Sequence, residues 1–335
     1  MRIAKKISSK LARQFKYLRR ELAGKLGLLD AFFRSARGNR ILIYHGVCQK
    51  EHTKFNTLFV TEKMFEEHLQ FYKKYFHVLS LDDFFKKRFN SEKFNICLTF
   101  DDGFANNYQY VLPLLEKYQL PATFFVTAVR KEGYNILWND FLAISSLAGP
   151  KTFAFEGEVF YKNKHKTYIS SKTKKTLSET LRSHGFDKKK QLMELLRSAD
   201  TFGNAFENED YWLQMTTEEI KQSTASGLIT IGSHGFYHND LGKIPTNDIA
   251  WELNNSRSYL EEIIEKPVTQ IAFPYGSYAA ETISEAVKAG YEQLYATEFI
   301  NPEDHNNNKM RERMGVNPFV TTYNQVYAVI TGKYD

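Results

Sequence analysis

Apolar positions recur along the chain at two different spacings. In residues 1–37, Ile3, Ile7, Leu11, Phe15, Leu18, Leu22, Leu26, Leu29 and Phe33 follow one another at steps of three or four, which places them on one stripe of a single long helix. Gly38-Asn39 breaks that pattern. Short apolar runs then alternate with helix-length amphipathic stretches. Strands are predicted at 40–47, 77–81, 94–100, 121–127, 227–233, 268–273, 294–297 and 316–321, with a short extended piece at 56–60. Helices are predicted after the N-cap Thr61, at 106–118, from Trp138, after the cap at Thr216, at 246–265 and at 279–289. Strand, helix and strand in this rhythm imply parallel pairing through right-handed crossovers. Seven or eight such units predict an α/β fold, a distorted or incomplete (β/α)7-8 barrel with its functional groups at the C-terminal strand ends.

The rhythm fails at about 150–210. Lys162, Lys164, Lys166, Lys172, Lys174, Lys175, Arg182, Lys188, Lys189 and Lys190 cluster there with few acids between them. Helical pieces at 171–183 and 187–199 make the region a basic insertion. It reads either as a solvated excursion or as a contact for an anionic glycan, a pyrophosphate-linked substrate or a membrane surface. The organisation is thus a basic amphipathic segment, 1–37, followed by one domain over 38–335 that carries the insertion.

Charge sharpens the reading of the first segment. Lys5, Lys6, Lys10, Arg13, Lys16, Arg19, Arg20 and Lys25 fill much of the helix outside its apolar stripe. Such a helix either packs on the domain with a solvated basic face or lies on an anionic membrane surface. Nucleic acid is not expected as a partner, because no nucleic-acid module accompanies the basic residues. Hydrophobic content of 42% and charged content of 25% are those of an ordinary globular protein. The two cysteines, Cys48 and Cys97, lie in apolar runs and read as buried free thiols. No apolar run leads to a small-residue cleavage site, and none reaches the roughly 18–20 residues that span a bilayer. A cytoplasmic protein is expected, with a peripheral position at the inner membrane face left open. Oligomeric state is not legible.

Candidate chemistry sits at two predicted strand ends. Leu98-Thr99-Phe100-Asp101-Asp102-Gly103 closes an apolar strand with adjacent carboxylates. Like charges side by side are unfavourable unless a cation or a proton separates their roles. Alone, the hexapeptide reads equally as a solvated turn. Ser233-His234-Gly235-Phe236-Tyr237-His238 closes another strand with two histidines able to face one point. Ligands from Asp102, His234 and His238 would leave an open position for water, which distinguishes catalytic from structural zinc. A second acidic pair, Asp82-Asp83, precedes a helix and is assigned to capping.

Together with Phe273-Pro274-Tyr275-Gly276 and Pro121-Ala122-Thr123-Phe124-Phe125-Val126, these motifs resemble the polysaccharide deacetylase family, the NodB-homology carbohydrate esterases. The resemblance covers roughly 38–325. It implies metal-assisted hydrolysis of an acetamide on an amino sugar, in the context of surface polysaccharide assembly, with a substrate that could be lipid-linked. It implies Asp102, His234 and His238 as ligands of a divalent metal, zinc before cobalt, nickel or iron(II). It implies Asp101 as general base and the backbone N–H of Tyr275 as an oxyanion donor. Tyr44, Trp138, Phe273, Pro274 and Gly276 are expected to line the substrate.

The sequence departs from the family at two points. The late Leu-x-His that supplies a general acid in many relatives is missing. His45, in Tyr44-His45-Gly46, resembles the early His of exopolysaccharide deacetylases and is the expected acid, with His305 as the alternative. The arginine that orients the base in many relatives is replaced by Ala272. Arg311 or Arg313 is expected to supply that charge from another strand. These departures keep a non-catalytic saccharide-binding protein open as a rival, alongside a hydrolase of another N-acyl or an O-acetyl group.

Overall fold

Arg313 interrupts the strand that closes the main sheet on itself. In the computed structural model, which describes residues 2–51, 57–199 and 201–334, strand Met310–Glu312 pairs with Gln293–Ala296 and strand Met314–Gly315 pairs with Gly38–Tyr44. Between them, in order, run Gln270–Ala272, Ile229–Ser233, Ala122–Val126 and Phe94–Phe100, all parallel. Phe76–Val78 adds on the start of Phe94–Phe100. The sheet has nine hydrogen-bonded strands. Counting the two pieces around Arg313 as one strand leaves eight, a nearly closed parallel barrel with helices outside it. The predicted α/β barrel is therefore the fold observed.

The period of two along each strand sorts residues between two cores. Ile41, Cys97, Phe125, Ala272 and Tyr295 fill the barrel interior. Leu42, Tyr44, Leu98, Phe100 and Phe124 face outward, under the helices. Strand Phe94–Phe100 is buried at every position, as a strand covered on both faces must be. The closing strand lies earlier than the predicted 316–321, which is a loop and turn. Pro318 in that stretch lacks the N–H a paired strand requires. The predicted piece at 56–60 falls partly outside the described residues, and Val60–Thr61 is a strand.

The capping expectations hold at Thr61, Thr216 and Asp83 but not at Asp82. Thr61 Oγ1 accepts from Met64 N, and Thr216 forms a capping box with Glu219. Asp83 lies in the Ser80 cap, while Asp82 Oδ1 accepts from the amides of Gln270 and Gln293 across the barrel floor. Both cysteines are buried free thiols.

The first segment differs from its predicted form. It is two helices, Arg2–Lys25 and Asp30–Ser35, broken at Gly27, whose φ of +74° an L residue rarely adopts. The first helix docks on helix Thr322–Thr331 through Tyr17, Arg20 and Gly24. Arg20 bonds Asn324 Oδ1 at 3.0 Å and stacks over Tyr327. No described helix is long and apolar enough to cross a membrane.

The basic region folds as an antiparallel ribbon, Thr152–Phe155, Glu158–Lys162 and Tyr168–Ser170, followed by helices Leu177–Arg182 and Phe186–Arg197. These build a second core with helix Trp138–Ala148, in which Trp138, Phe141, Tyr168, Leu181, Leu192 and Trp212 meet.

Candidate metal centre and active site

Asp101 and Asp102 leave strand Phe94–Phe100 through a tight turn. Asp101 N still donates to Tyr44 O at 3.0 Å, after which Asp102 and Gly103 take φ of +75° and +79°. A Cβ at Gly103 would stand 3.2 Å from Val126 Cα, so the turn presses directly on the neighbouring strand. That strand also receives His234 N, bonded to Val126 O at 2.9 Å. The left-handed conformation recurs at His238 and Tyr275, with φ of +56° and +61°. Strained backbone at three functional candidates in one site is stable only where the surroundings over-determine it.

Asp102 Oδ1 lies 3.3 Å from His234 Nε2 and 3.1 Å from His238 Nε2. The three ligand atoms fall within 4.8 Å of one another, and all three residues are buried. His234 Nδ1 is 2.8 Å from Ala272 O, which makes Nδ1 the protonated nitrogen and leaves the Nε2 lone pair aimed at the cluster. Burial raises the Asp102 pKa, but His238 and His234 outweigh it and hold the carboxyl well below the usual range. Two imidazole nitrogens and one anionic oxygen converging in a buried pocket are a donor set suited to a divalent first-row metal.

The histidine loop is fixed from behind by Glu252 of helix Thr246–Ile264. Its carboxylate accepts from Phe236 N at 2.6 Å, Tyr237 N at 3.1 Å and Asn239 Nδ2 at 2.7 Å. Burial pushes this carboxyl up to about 7 against those donors. Lys189 of the inserted helix bonds Asn239 Oδ1, and Trp138 Nε1 donates to His238 O at 3.0 Å. Trp138 is thus a buried brace of the ligand loop, not a surface at the mouth.

Asp101 stands apart from the cluster in its contacts. Arg313 bonds both of its oxygens at 2.7 Å and also donates to Thr99 Oγ1 at 3.0 Å. Burial raises the Asp101 pKa, but Arg313, with His234 and His45, outweighs it and keeps the carboxyl below its ordinary value. Asp101 is therefore ionised at neutral pH. His45 is half-buried and lies near enough to both Asp101 and Asp102 to lower their pKa values. Asn107 Nδ2 holds His45 O at 2.8 Å, and Asn106 Oδ1 accepts from Val47 N, so the helix after the Asp-Asp-Gly turn also sets the His45 loop.

Tyr275 projects its ring over His238, centroids 4.6 Å apart, and Arg182 of the inserted helix stacks on that ring at 3.9 Å. Pro274 and Gly276 are buried in the same turn. Other expected site residues lie elsewhere. Tyr44 faces the outer core, where its hydroxyl bonds Tyr72 Oη and His68 Nδ1, because position 44 points outward by the strand period. Phe273 is likewise buried in the outer core, against Tyr278. Arg311 stacks on Phe85 and lines a cavity with Asn39, Arg40 and His305 at the opposite, N-terminal end of the barrel. That placement removes both Arg311 and His305 from the site.

Sequence reasoning missed Glu252 and Asp140, and named Arg182 and Lys189 only within the basic cluster of the insertion. Asp140 is buried, and burial with the Asp102 charge pushes its carboxyl well above the usual range. Glu252 and Lys189 did carry a signal. Each sits at helical spacing among apolar residues, Ile249, Leu253 and Leu260 for the one and Phe186, Leu192, Met193 and Leu196 for the other.

A family model described as polysaccharide deacetylase matches residues 89–152 and 171–294, and the stretch between them contains most of the antiparallel ribbon. The chain belongs to the polysaccharide deacetylase family. It is 23% identical over 267 residues to the Bacillus subtilis protein YxkH, assigned to the polysaccharide deacetylases, a match covering 77% of this chain and 64% of that protein. The chain thus spans less than two thirds of that relative. In fold it resembles the Streptococcus pyogenes deacetylase PplD, solved with acetate, at TM-score 0.56 and 18% identity over 87% of this chain and 97% of that one. It likewise resembles the Bacillus cereus polysaccharide deacetylase BC0361, at TM-score 0.53 and 19% identity over 87% of this chain and 68% of that one.

Proposed function

We propose that the chain is a metal-dependent N-deacetylase acting on an N-acetylated saccharide. The observation that carries this reading is the division of labour between neighbouring carboxylates. Asp102 points to two histidine nitrogens, while Asp101 is held ionised and separate by the Arg313 fork. A divalent cation bound by Asp102, His234 and His238 would polarise the acetamide carbonyl and acidify water. Zinc suits the ligands, as do cobalt, nickel and iron(II).

Asp101 accepts the proton of the attacking water. Both of its oxygens bond Arg313, yet each keeps a second lone pair for that task. The Tyr275 N–H, presented by a left-handed residue between Pro274 and Gly276, stabilises the oxyanion. His45 protonates the departing nitrogen as the carbon–nitrogen bond breaks, giving acetate and a free amine. The ring of Tyr275, backed by Arg182, walls the pocket where a sugar face would rest.

The binding-only rival was motivated by the missing late Leu-x-His and by Ala272 in the arginine position; the pairing of Arg313 with Asp101 speaks against the second motive, and the first rests on His45. Assaying free amine and acetate separately on N-acetylated and O-acetylated saccharides tests the proposal. Amine and acetate in equal amounts support it, whereas acetate without amine identifies an esterase.

A further inference from the structure

The first helix turns its apolar stripe away from the protein. Leu11, Phe15, Leu18, Leu22 and Leu26 are 60%, 70%, 56%, 53% and 75% exposed, and Leu28 beyond the Gly27 break is 72% exposed. At 100° per residue the four helical positions fall within one narrow sector, and Leu26, in the turn just after the helix with its N–H on Leu22 O, continues it. The face that docks on helix Thr322–Thr331 is the opposite one, built from Tyr17, Arg20 and Gly24. Among the described residues no element packs on the stripe. A contiguous apolar strip on a helix held rigidly from behind marks an interaction surface.

Charge selects the occupant. Arg19 and Lys25 border the stripe on either side, and Lys10, Arg13 and Lys16 lie farther round the same helix. The only acid among residues 10–25 is Glu21. A second copy stacked stripe to stripe would bring two such basic rows together, which like-charge repulsion opposes. An anionic lipid surface takes the apolar side chains into its acyl boundary and the basic rows at its headgroups. Position agrees with this occupant. Glu21 and Lys25 line a cleft with Pro318, Phe319 and Thr321, in the loop that follows the C-terminal end of the closing strand. That is the end of the barrel at which Asp101 and Asp102 lie, so the C-terminal part of the helix sits toward the catalytic end.

We propose that the helix Arg2–Lys25 docks the protein on an anionic membrane through Leu11, Phe15, Leu18, Leu22 and Leu26, flanked by Arg19 and Lys25. The docking is independent of the reaction. Co-sedimentation with phosphatidylcholine vesicles, with and without one third phosphatidylglycerol, tests it on the full chain. Wild type and Asp101→Asn are expected to bind the anionic vesicles equally and the neutral ones about tenfold more weakly. Leu18→Glu with Leu22→Glu should weaken anionic binding about tenfold or more, at an unchanged melting temperature because both positions are solvent-facing. Arg19→Ser with Lys25→Ser should remove the preference for anionic over neutral vesicles. Wild type remaining in the supernatant at every lipid concentration would overturn the proposal. So would self-association of wild type, seen by light scattering and abolished by Leu18→Glu with Leu22→Glu, if vesicle binding is absent. That result would assign the stripe to a second copy.

Discussion

Arg313 meets Asp101 through both terminal nitrogens of its guanidinium, each 2.7 Å from a different carboxylate oxygen, across 212 residues of sequence. The same guanidinium is anchored by Thr99 Oγ1, which in turn donates to Leu42 O at 2.7 Å. A buried fork of this kind fixes orientation as well as charge. Arg313→Ala should leave a buried carboxylate unpaired, lower kcat about 100-fold and destabilise the fold by about 3–5 kcal/mol. Its Asp101 pKa should rise, moving the acidic limb of kcat/KM to higher pH. Arg313→Lys restores the charge without the fork and should recover stability more than kcat. Thermal melts beside a pH–rate profile check both variants.

The loop carrying His234 and His238 depends on a carboxylate that touches neither of them. Glu252 accepts from Phe236 N, Tyr237 N and Asn239 Nδ2. Glu252→Ala should weaken metal binding about 10–100-fold, the usual effect of losing an outer partner of a ligand loop. Competition with a chelator measures it, and an unchanged affinity would show that the loop holds its shape without Glu252.

His45 is the proposed acid. His45→Asn should lower kcat about 100- to 10,000-fold while metal content stays at the wild-type level. A smaller effect with amides bearing a better leaving group would confirm that protonation of nitrogen is the step lost.

His68 should subtract from stability on mild acidification for a reason unconnected with the site, while Glu252, with its carboxyl pushed up to about 7, contributes in the opposite sense over the same window. His68 is fully buried beneath Tyr44, and burial pulls its pKa down from 6.5 to about 4. The unfolded chain binds this proton from about pH 6.5 downward and the folded one only near pH 4. The contribution is therefore complete above pH 6.5 and is lost as pH falls through that window, by about 3 kcal/mol at most. Denaturant unfolding at pH 7 and pH 4.5 should show the stability of wild type changing less favourably on acidification than that of His68→Gln, the difference being the His68 contribution.

The barrel and the candidate Asp-His-His cluster were legible because both lie in continuous stretches of chain. Apolar runs gave the strands, and Asp101, Asp102, His234 and His238 sit in short motifs at their ends. What connects distant segments was not legible. Arg313 and Arg311 are two residues apart and chemically identical, yet one crowns the site and the other stacks on Phe85 at the far end of the barrel. Only strand register separates them. Tyr44 and His45 are neighbours in sequence, but the strand sends the tyrosine into the outer core. The first helix was legible only in part. Its apolar stripe was read as a packing face or a membrane face, while the docking surface is formed by Tyr17, Arg20 and Gly24, a face whose composition carries no packing signal.

The most direct test of the central claim pairs metal content with acetate release from N-acetylglucosamine oligomers, comparing wild type with Asp101→Asn. Both proteins should retain a divalent ion, and only wild type should release acetate together with free amine. Lack of metal in wild type under zinc-replete conditions, or undiminished release by Asp101→Asn, would contradict the account.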